Sequence, residues 1–215
     1  MAAVSESRPL PKGEQTRTAI LEAAISRFGR DGYRATSVAD IARDAGVGGT
    51  VAYAYFPNKE ALFLAAVDED AAAVIGEGSS TLSGGNTMEG GGNTMEDWRQ
   101  GLLFSLVVAL DHHPLARRLL AGLEPEVTGR VLDIPALAEM RKAVAERLRL
   151  EQLEGKVRTD IDPTDMANGI VSIVLSLLMS VVQIGAEASL PYAMSVTAVF
   201  EAALAGPLPG SARST

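Results

Sequence analysis

The chain owns little with which to make or break covalent bonds. None of its 215 residues is a cysteine, which excludes disulfide frameworks, cysteine-held zinc and thiol nucleophiles. The two histidines, His112 and His113, are neighbours and leave little for imidazole catalysis or a metal site. Their place before Pro114 reads as a helix end, where a cationic or capping histidine is common; contact of His112 with a ligand is the other reading. Asp160, Asp162 and Asp165 flank a helix start, where the macrodipole favours anions. No nucleophile or metal ligand stands at helical spacing from them. No enzyme, cofactor or metal is therefore expected. The spacing that does carry chemistry lies between Thr36 and Leu62. Two short helical segments around a tight turn at Gly46-Val47-Gly48 fit a helix-turn-helix, whose second helix enters the major groove of double-stranded DNA.

The elements that must position this pair read as helices, and no run alternates like a strand. A first helix over about 16–30 puts Ile20, Leu21, Ala24, Ile25 and Phe28 on one face, and Asp31-Gly32 ends it. Ser37 and Asp40 form a capping box that opens a helix over 37–45 with Val38, Ile41 and Ala42 inward. A third helix over 49–55 is stopped by Pro57, and Asn58 caps a fourth through Leu62, Phe63 and Val67. Residues 76–97 are rich in glycine, and Gly-Asn-Thr-Met-Glu at 85–89 recurs at 92–96, which reads as a mobile linker. Further helices follow over about 97–111, 114–121, 135–154, 163–186 and 191–205, with Pro163 and Pro191 in first turns. Leu137, Met140, Val144 and Leu148 form the apolar stripe of the 135–154 helix. Trp98, Phe104, Met140 and Met179 read as core side chains that could instead line a pocket for an apolar ligand.

No charge occurs between Asp165 and Glu187, a span long enough to cross a bilayer. Asn168, Ser172, Ser176, Ser180 and Gln183 interrupt it, its flanks are acidic, and no Lys or Arg lies between Arg158 and Arg213. Membrane topology usually leans on flanking cations. The segment reads instead as a buried helix, and its serines recur every four residues as a ridge on which another helix can lie. A second subunit is its natural cover.

Phe28, Gly32, Tyr33, Thr36, Ile41, Ala42, Ala45-Gly46-Val47, Tyr53, Tyr55-Phe56, Asn58-Lys59-Glu60 and Leu62 together resemble the N-terminal domain of the TetR family of transcriptional regulators. The resemblance covers about residues 16–63. It implies an all-α fold: an N-terminal three-helix helix-turn-helix DNA-binding domain and a C-terminal helical bundle for ligand binding and dimerisation. It also implies contacts to DNA from Thr36 and Ser37 at the second helix, and from Gly49, Thr50 and Tyr53 on the recognition helix. Tyr55 and Lys59 would face phosphate. Hydroxyl and ammonium groups of this kind position a domain on the backbone, while a few side chains read base edges. The sequence departs from the family at the cap, Gly48, and at Gly49, Val51 and Ala52, which leaves few side chains to read bases.

The expected division is a flexible arm over 1–15, the DNA-binding domain over 16–58, a ligand-binding and dimerisation domain over 59–205 and a disordered tail over 206–215. The arm has no apolar targeting stretch, so the chain reads as cytoplasmic. The expected function is a repressor that binds palindromic operator DNA as a homodimer, through the helices around 163–186 and 191–205, and leaves it on binding a small apolar molecule. The competing reading is a helical ligand-binding or scaffolding protein with a degraded DNA-reading helix. Net charge of −8 argues against DNA only when averaged. From Arg8 to Lys59 eight cations face five acids, a local +3, and the remainder is −11. The acidic body would keep DNA from settling elsewhere on the surface.

Overall fold

The computed structural model describes residues 11–79, 97–125 and 133–205. These residues are overwhelmingly helical: α1 (Lys12–Ala35), α2 (Val38–Asp44), α3 (Gly49–Tyr55), α4 (Lys59–Ser79), α5 (Asp97–Ala109), a 3-10 turn (Leu110–His112), α6 (Pro114–Leu120), α7 (Pro135–Leu153), α8 (Pro163–Ile184) and α9 (Ala186–Leu204). Among the described residues there is no strand, and the fold is all-α, as expected.

The amphipathic face of α1 supplies the first layer of the core, with Ile20, Leu21, Ala24 and Phe28 buried. Helix α1 begins at Lys12, four residues before the expected start, because the Pro11 carbonyl already accepts the Gln15 N–H. Residues 12–15 are thus helical and not part of an arm; residues 1–10 lie outside the described residues. Gly32 interrupts α1 with φ of 82°, a conformation that side-chain-bearing residues rarely adopt. The buried Thr36 hydroxyl then donates to the Gly32 carbonyl at 2.8 Å and settles the broken end.

Helix α4 is the long strut of the molecule. Asn58 accepts the Ala61 N–H at 2.7 Å to start it, and it packs against α1, α5, α6 and α7. It continues through Gly76 and Gly78 to Ser79, so helix replaces the first four residues of the expected linker. Residue 97 likewise opens α5, and residues 80–96 lie outside the described residues.

Helices α7, α8 and α9 complete the bundle, α8 packing against both neighbours. Asp162 caps α8 by accepting the N–H groups of Thr164 and Asp165, and these bonds hold its carboxyl below the usual range. The expected break at Pro191 is displaced. Gly185, at φ 92°, ends α8 and α9 begins at once at Ala186, leaving Pro191 inside the helix. A glycine free to take positive φ reverses the chain more sharply than the proline six residues later can, and the proline is then carried within the helix. By length and composition α8 could cross a membrane. It is not buried all round: Ala167, Ile170, Val171, Val174, Leu177 and Leu178 face the core, while Ser172, Ile173 and Ser176 are exposed.

Candidate nucleic-acid interface

Helices α2 and α3 stand on a base made by α1 and the start of α4. Val38, Ile41, Ala42, Ala52 and Phe56 are buried beneath them. Phe28, Tyr33 and Phe63 form the aromatic centre, with Phe63 4.9 Å from each of the other two rings. Ser37 caps α2: its hydroxyl accepts the Asp40 N–H at 3.1 Å and donates to the Asp40 carboxylate at 2.6 Å. The Asp40 side chain therefore answers the Ser37 hydroxyl, and that bond holds its carboxyl below the ordinary range. Asp44 at the other end of α2 accepts two hydrogen bonds from Arg27 of α1, at 2.6 and 3.0 Å. The first effect of that pair is again to depress the carboxyl. Arg27 pairs with Asp44, Arg43 with Asp40 and Arg30 with Asp31, so three of the segment's cations are spent on geometry within the unit.

With its base buried, α3 presents Gly49, Thr50, Val51 and Tyr53 to solvent; Tyr53 is 53% exposed. Tyr55 is half-buried, with its hydroxyl beside Gly13 at the start of α1. Lys59 lies 4.4 Å over the Tyr33 ring, and Arg17 lies 5.4 Å over the Phe56 ring. These cation–π contacts hold two positive groups at the two helix starts that flank α3. Arg17 carries no signal from sequence alone; its place follows from α1 starting at Lys12. Thr36 stands apart from the other expected contacts, since its side chain is buried and its hydroxyl engaged. The structure thus brings Ser37, Gly49, Thr50, Tyr53, Tyr55 and Lys59 to the α2–α3 unit and its margins, and turns the Thr36 side chain inward.

The comparisons agree with this geometry. Residues 20–66 match the family described as bacterial regulatory proteins, tetR family. That match supports the TetR-family resemblance carried by the helix-turn-helix residues. It is 43% identical over 65 residues to the HTH-type transcriptional repressor ComR of Escherichia coli (strain K12). That stretch is 30% of this chain and 30% of ComR, so the likeness spans under a third of either. In fold the likeness is broader. A crystal structure from Mesorhizobium loti MAFF303099 aligns over 91% of this chain and 100% of that one, with a TM-score of 0.70 and 22% identity. A TetR-family regulator from Cytophaga hutchinsonii aligns over 92% and 98%, with a TM-score of 0.66 and 19% identity.

Behind the helix-turn-helix unit lies a second candidate site. A cavity of about 60 Å³ opens between α4, α5, α6, α7 and α8. Met140 lines it, as do Val74, Leu106, Leu119 and Val174. The other expected ligand residues are placed elsewhere. The Trp98 indole N–H donates to buried Glu151 at 2.8 Å, Phe104 is 67% exposed, His112 is exposed and Met179 packs at the margin of the core. Helical spacing gives a residue's face, but not which neighbour that face meets, and so does not separate Met140 from these four.

Two junctions tie α6, which lines the cavity, to α1 and α4, the helices that support the helix-turn-helix unit. At the first, α6 lies against α1 so closely that a Cβ on Gly29 would come within 2.8 Å of Pro114. Buried Glu124 accepts the Tyr33 N–H at 3.1 Å and Arg118 at 2.6 Å there. At the second, buried Asp70 of α4 accepts the Ala116 N–H and bonds His113 Nδ1, each at 2.7 Å, while Glu77 lies 3.3 Å from His113 Nε2. Burial alone would lower the pKa of His113. The hydrogen bonds and charges of Asp70 and Glu77 outweigh it and hold the imidazole above its ordinary value. Asp70 and Glu124 carry no sequence signal, because the partners of Asp70 and the Tyr33 N–H that Glu124 accepts are remote in the chain.

Proposed function

We propose that this protein is a ligand-responsive transcriptional repressor that binds palindromic operator DNA as a homodimer in the cytoplasm. The exposed face of α3 over a buried helix-turn-helix base carries that reading. Thr50, Val51 and Tyr53 are then the groups that reach base edges; Ser37, Tyr55 and Lys59 hold the backbone. So few readers leave a share of specificity to DNA shape. The domain division follows: residues 16–58 read DNA, and 59–205 carry the ligand and the subunit contact. ComR is named as a repressor, which favours repression as the direction.

The outer face of α8 with α9 supports the dimer. Ser172 and Ser176 turn their hydroxyls back onto carbonyls four residues earlier, so the ridge is exposed yet needs no outside partner. Ile173, Ile184, Tyr192, Met194 and Val199 are exposed around it. A small apolar effector in the cavity would part α4 from α6, disturb the Asp70 and Gly29 junctions and favour an arrangement in which the two recognition helices no longer match successive grooves. Operator selection from a random DNA pool, followed by gel shift across a salt series, tests the reading. Expected are a palindrome with half-sites about one turn apart and a log–log fall of affinity with salt. Salt-insensitive binding, or none at low salt, overturns it in favour of a helical ligand-binding or scaffolding protein.

A further inference from the structure

We infer that the cavity takes an unbranched aliphatic chain, an alkyl or acyl group, and selects against aromatic and cationic molecules. The inference rests on the ligand-responsive reading above and names the class of ligand. All fifteen described residues of its wall are Ala, Val, Leu, Ile or Met. Among them no ring is available for stacking and no side chain for hydrogen bonding. A flat aromatic guest gains specificity from offset or edge-on rings, and here it would meet none. The rings of the bundle are committed elsewhere: Trp98 is bonded to Glu151, and Phe104 points to solvent.

A cationic guest needs a carboxylate or an aromatic face. Asp70, the buried carboxylate one residue before Ala71 of the wall, has both its oxygens already engaged by the Ala116 N–H and His113. Polar groups entering the cavity would lose water and find no described side chain in return. Methylenes lose nothing. Each one buried against Val74, Leu106, Met140 or Val174 tightens binding about fourfold. The free space is small, about 60 Å³, so the walls must part to admit a chain. Unbranched chains thread between Leu and Met side chains that repack by rotamer change, whereas a rigid ring system needs all walls displaced together.

Titration calorimetry of the full chain with 1-hexanol through 1-dodecanol, with naphthalene and tetraphenylphosphonium as contrasts, tests this. Expected is a gain of about fourfold per methylene up to a cutoff length, with the two contrasts at least tenfold weaker than the best alkanol. Val174→Phe, which fills the α8 wall, and Ala71→Leu, which fills the α4 wall, should each move the cutoff to shorter chains. The two variants come from opposite sides, so a folding defect in one leaves the other informative. Naphthalene or the cation binding as tightly as the best alkanol overturns the inference. So does affinity that rises with no cutoff, or a cutoff unmoved in a folded variant. Gel shifts on the same samples separate the two readings. Alkanol binding that leaves the DNA complex intact counts against ligand-driven release while supporting the ligand class. Alkanols that fail to bind a DNA-competent protein overturn the ligand class alone.

Discussion

Asp70 shows what a single residue can do where two helices cross. Its carboxylate is 3% exposed; it accepts the Ala116 N–H in the first turn of α6 and bonds His113. Deleting it leaves the Ala116 N–H without its partner in the interior and takes from His113 the nearer of its two carboxylates. Asp70→Ala should therefore cost about 3 kcal/mol in denaturant unfolding; a loss below about 1 kcal/mol would show the junction to be slack. His113 gives the same contact a pH signature. Its pKa is raised in the folded protein above the ordinary 6.5, so the folded state holds the proton more tightly than the unfolded chain does. The stabilisation is complete below about pH 6.5 and is lost as pH rises through the higher folded value. Thermal unfolding should show Tm falling between pH 6 and pH 8.5 through this group, and His113→Gln should flatten that fall. An unchanged slope in His113→Gln would refute the assignment. From sequence alone His113 is legible as a helix-end histidine, but its partner lies 43 residues away, and no local spacing reveals it. Gly32 is the opposite case. Its positive φ follows from residue type and position, and the structure adds only that Arg118 and Glu124 crowd the same spot.

Elements with strong local signals stand where their caps place them. Ser37 and Asn58 each start a helix by accepting an N–H three residues on, a pattern written in residue type. Pro191 misleads because proline marks a permitted helix start without requiring one, and Gly185 reverses the chain first. The cavity wall was not legible for a related reason: it is drawn from five helices whose crossing points depend on the whole bundle. The weakest element by local rules is α3. Gly48 caps it without a side-chain hydrogen bond, at φ −70° and ψ 147°, a conformation in which serine is at ease. Gly49, the first helical residue, is exposed, and a Cβ there meets nothing within 4 Å. Gly48→Ser adds a few tenths of a kcal/mol from the cap, and Gly49→Ala adds more by restricting the unfolded chain. The double variant should gain about 1 kcal/mol together, a rise of about 2–4 °C in Tm for a chain of this size. Calorimetry that shows no gain would mean that α3 draws its stability from packing at Ala52 and Phe56, and not from its own first turn.

At the scale of the whole molecule the charge and the architecture have to be taken together. The segment from Arg8 to Lys59 carries only +3, and Arg27, Arg30 and Arg43 are paired inside it. One unit of that kind, with few side chains on α3 to read bases, holds DNA weakly. Two units held rigidly together bind as a single ligand, and linkage of this sort raises affinity by about 10²–10⁴. Operator affinity should then depend on a surface far from α3, the α8 ridge. Ser176→Arg puts a long charged side chain on that ridge, where a partner helix is expected to lie close. The added charge is positive, so by simple electrostatics it favours DNA, and any loss of affinity must come from lost pairing. Expected are a monomer in analytical ultracentrifugation, helical content unchanged by circular dichroism, and operator affinity about 100-fold weaker. Affinity for arbitrary duplex at low salt should survive at the level of one unit. A folded Ser176→Arg protein that remains dimeric would move the subunit contact away from this ridge. A monomer that keeps full operator affinity would show instead that one recognition helix suffices.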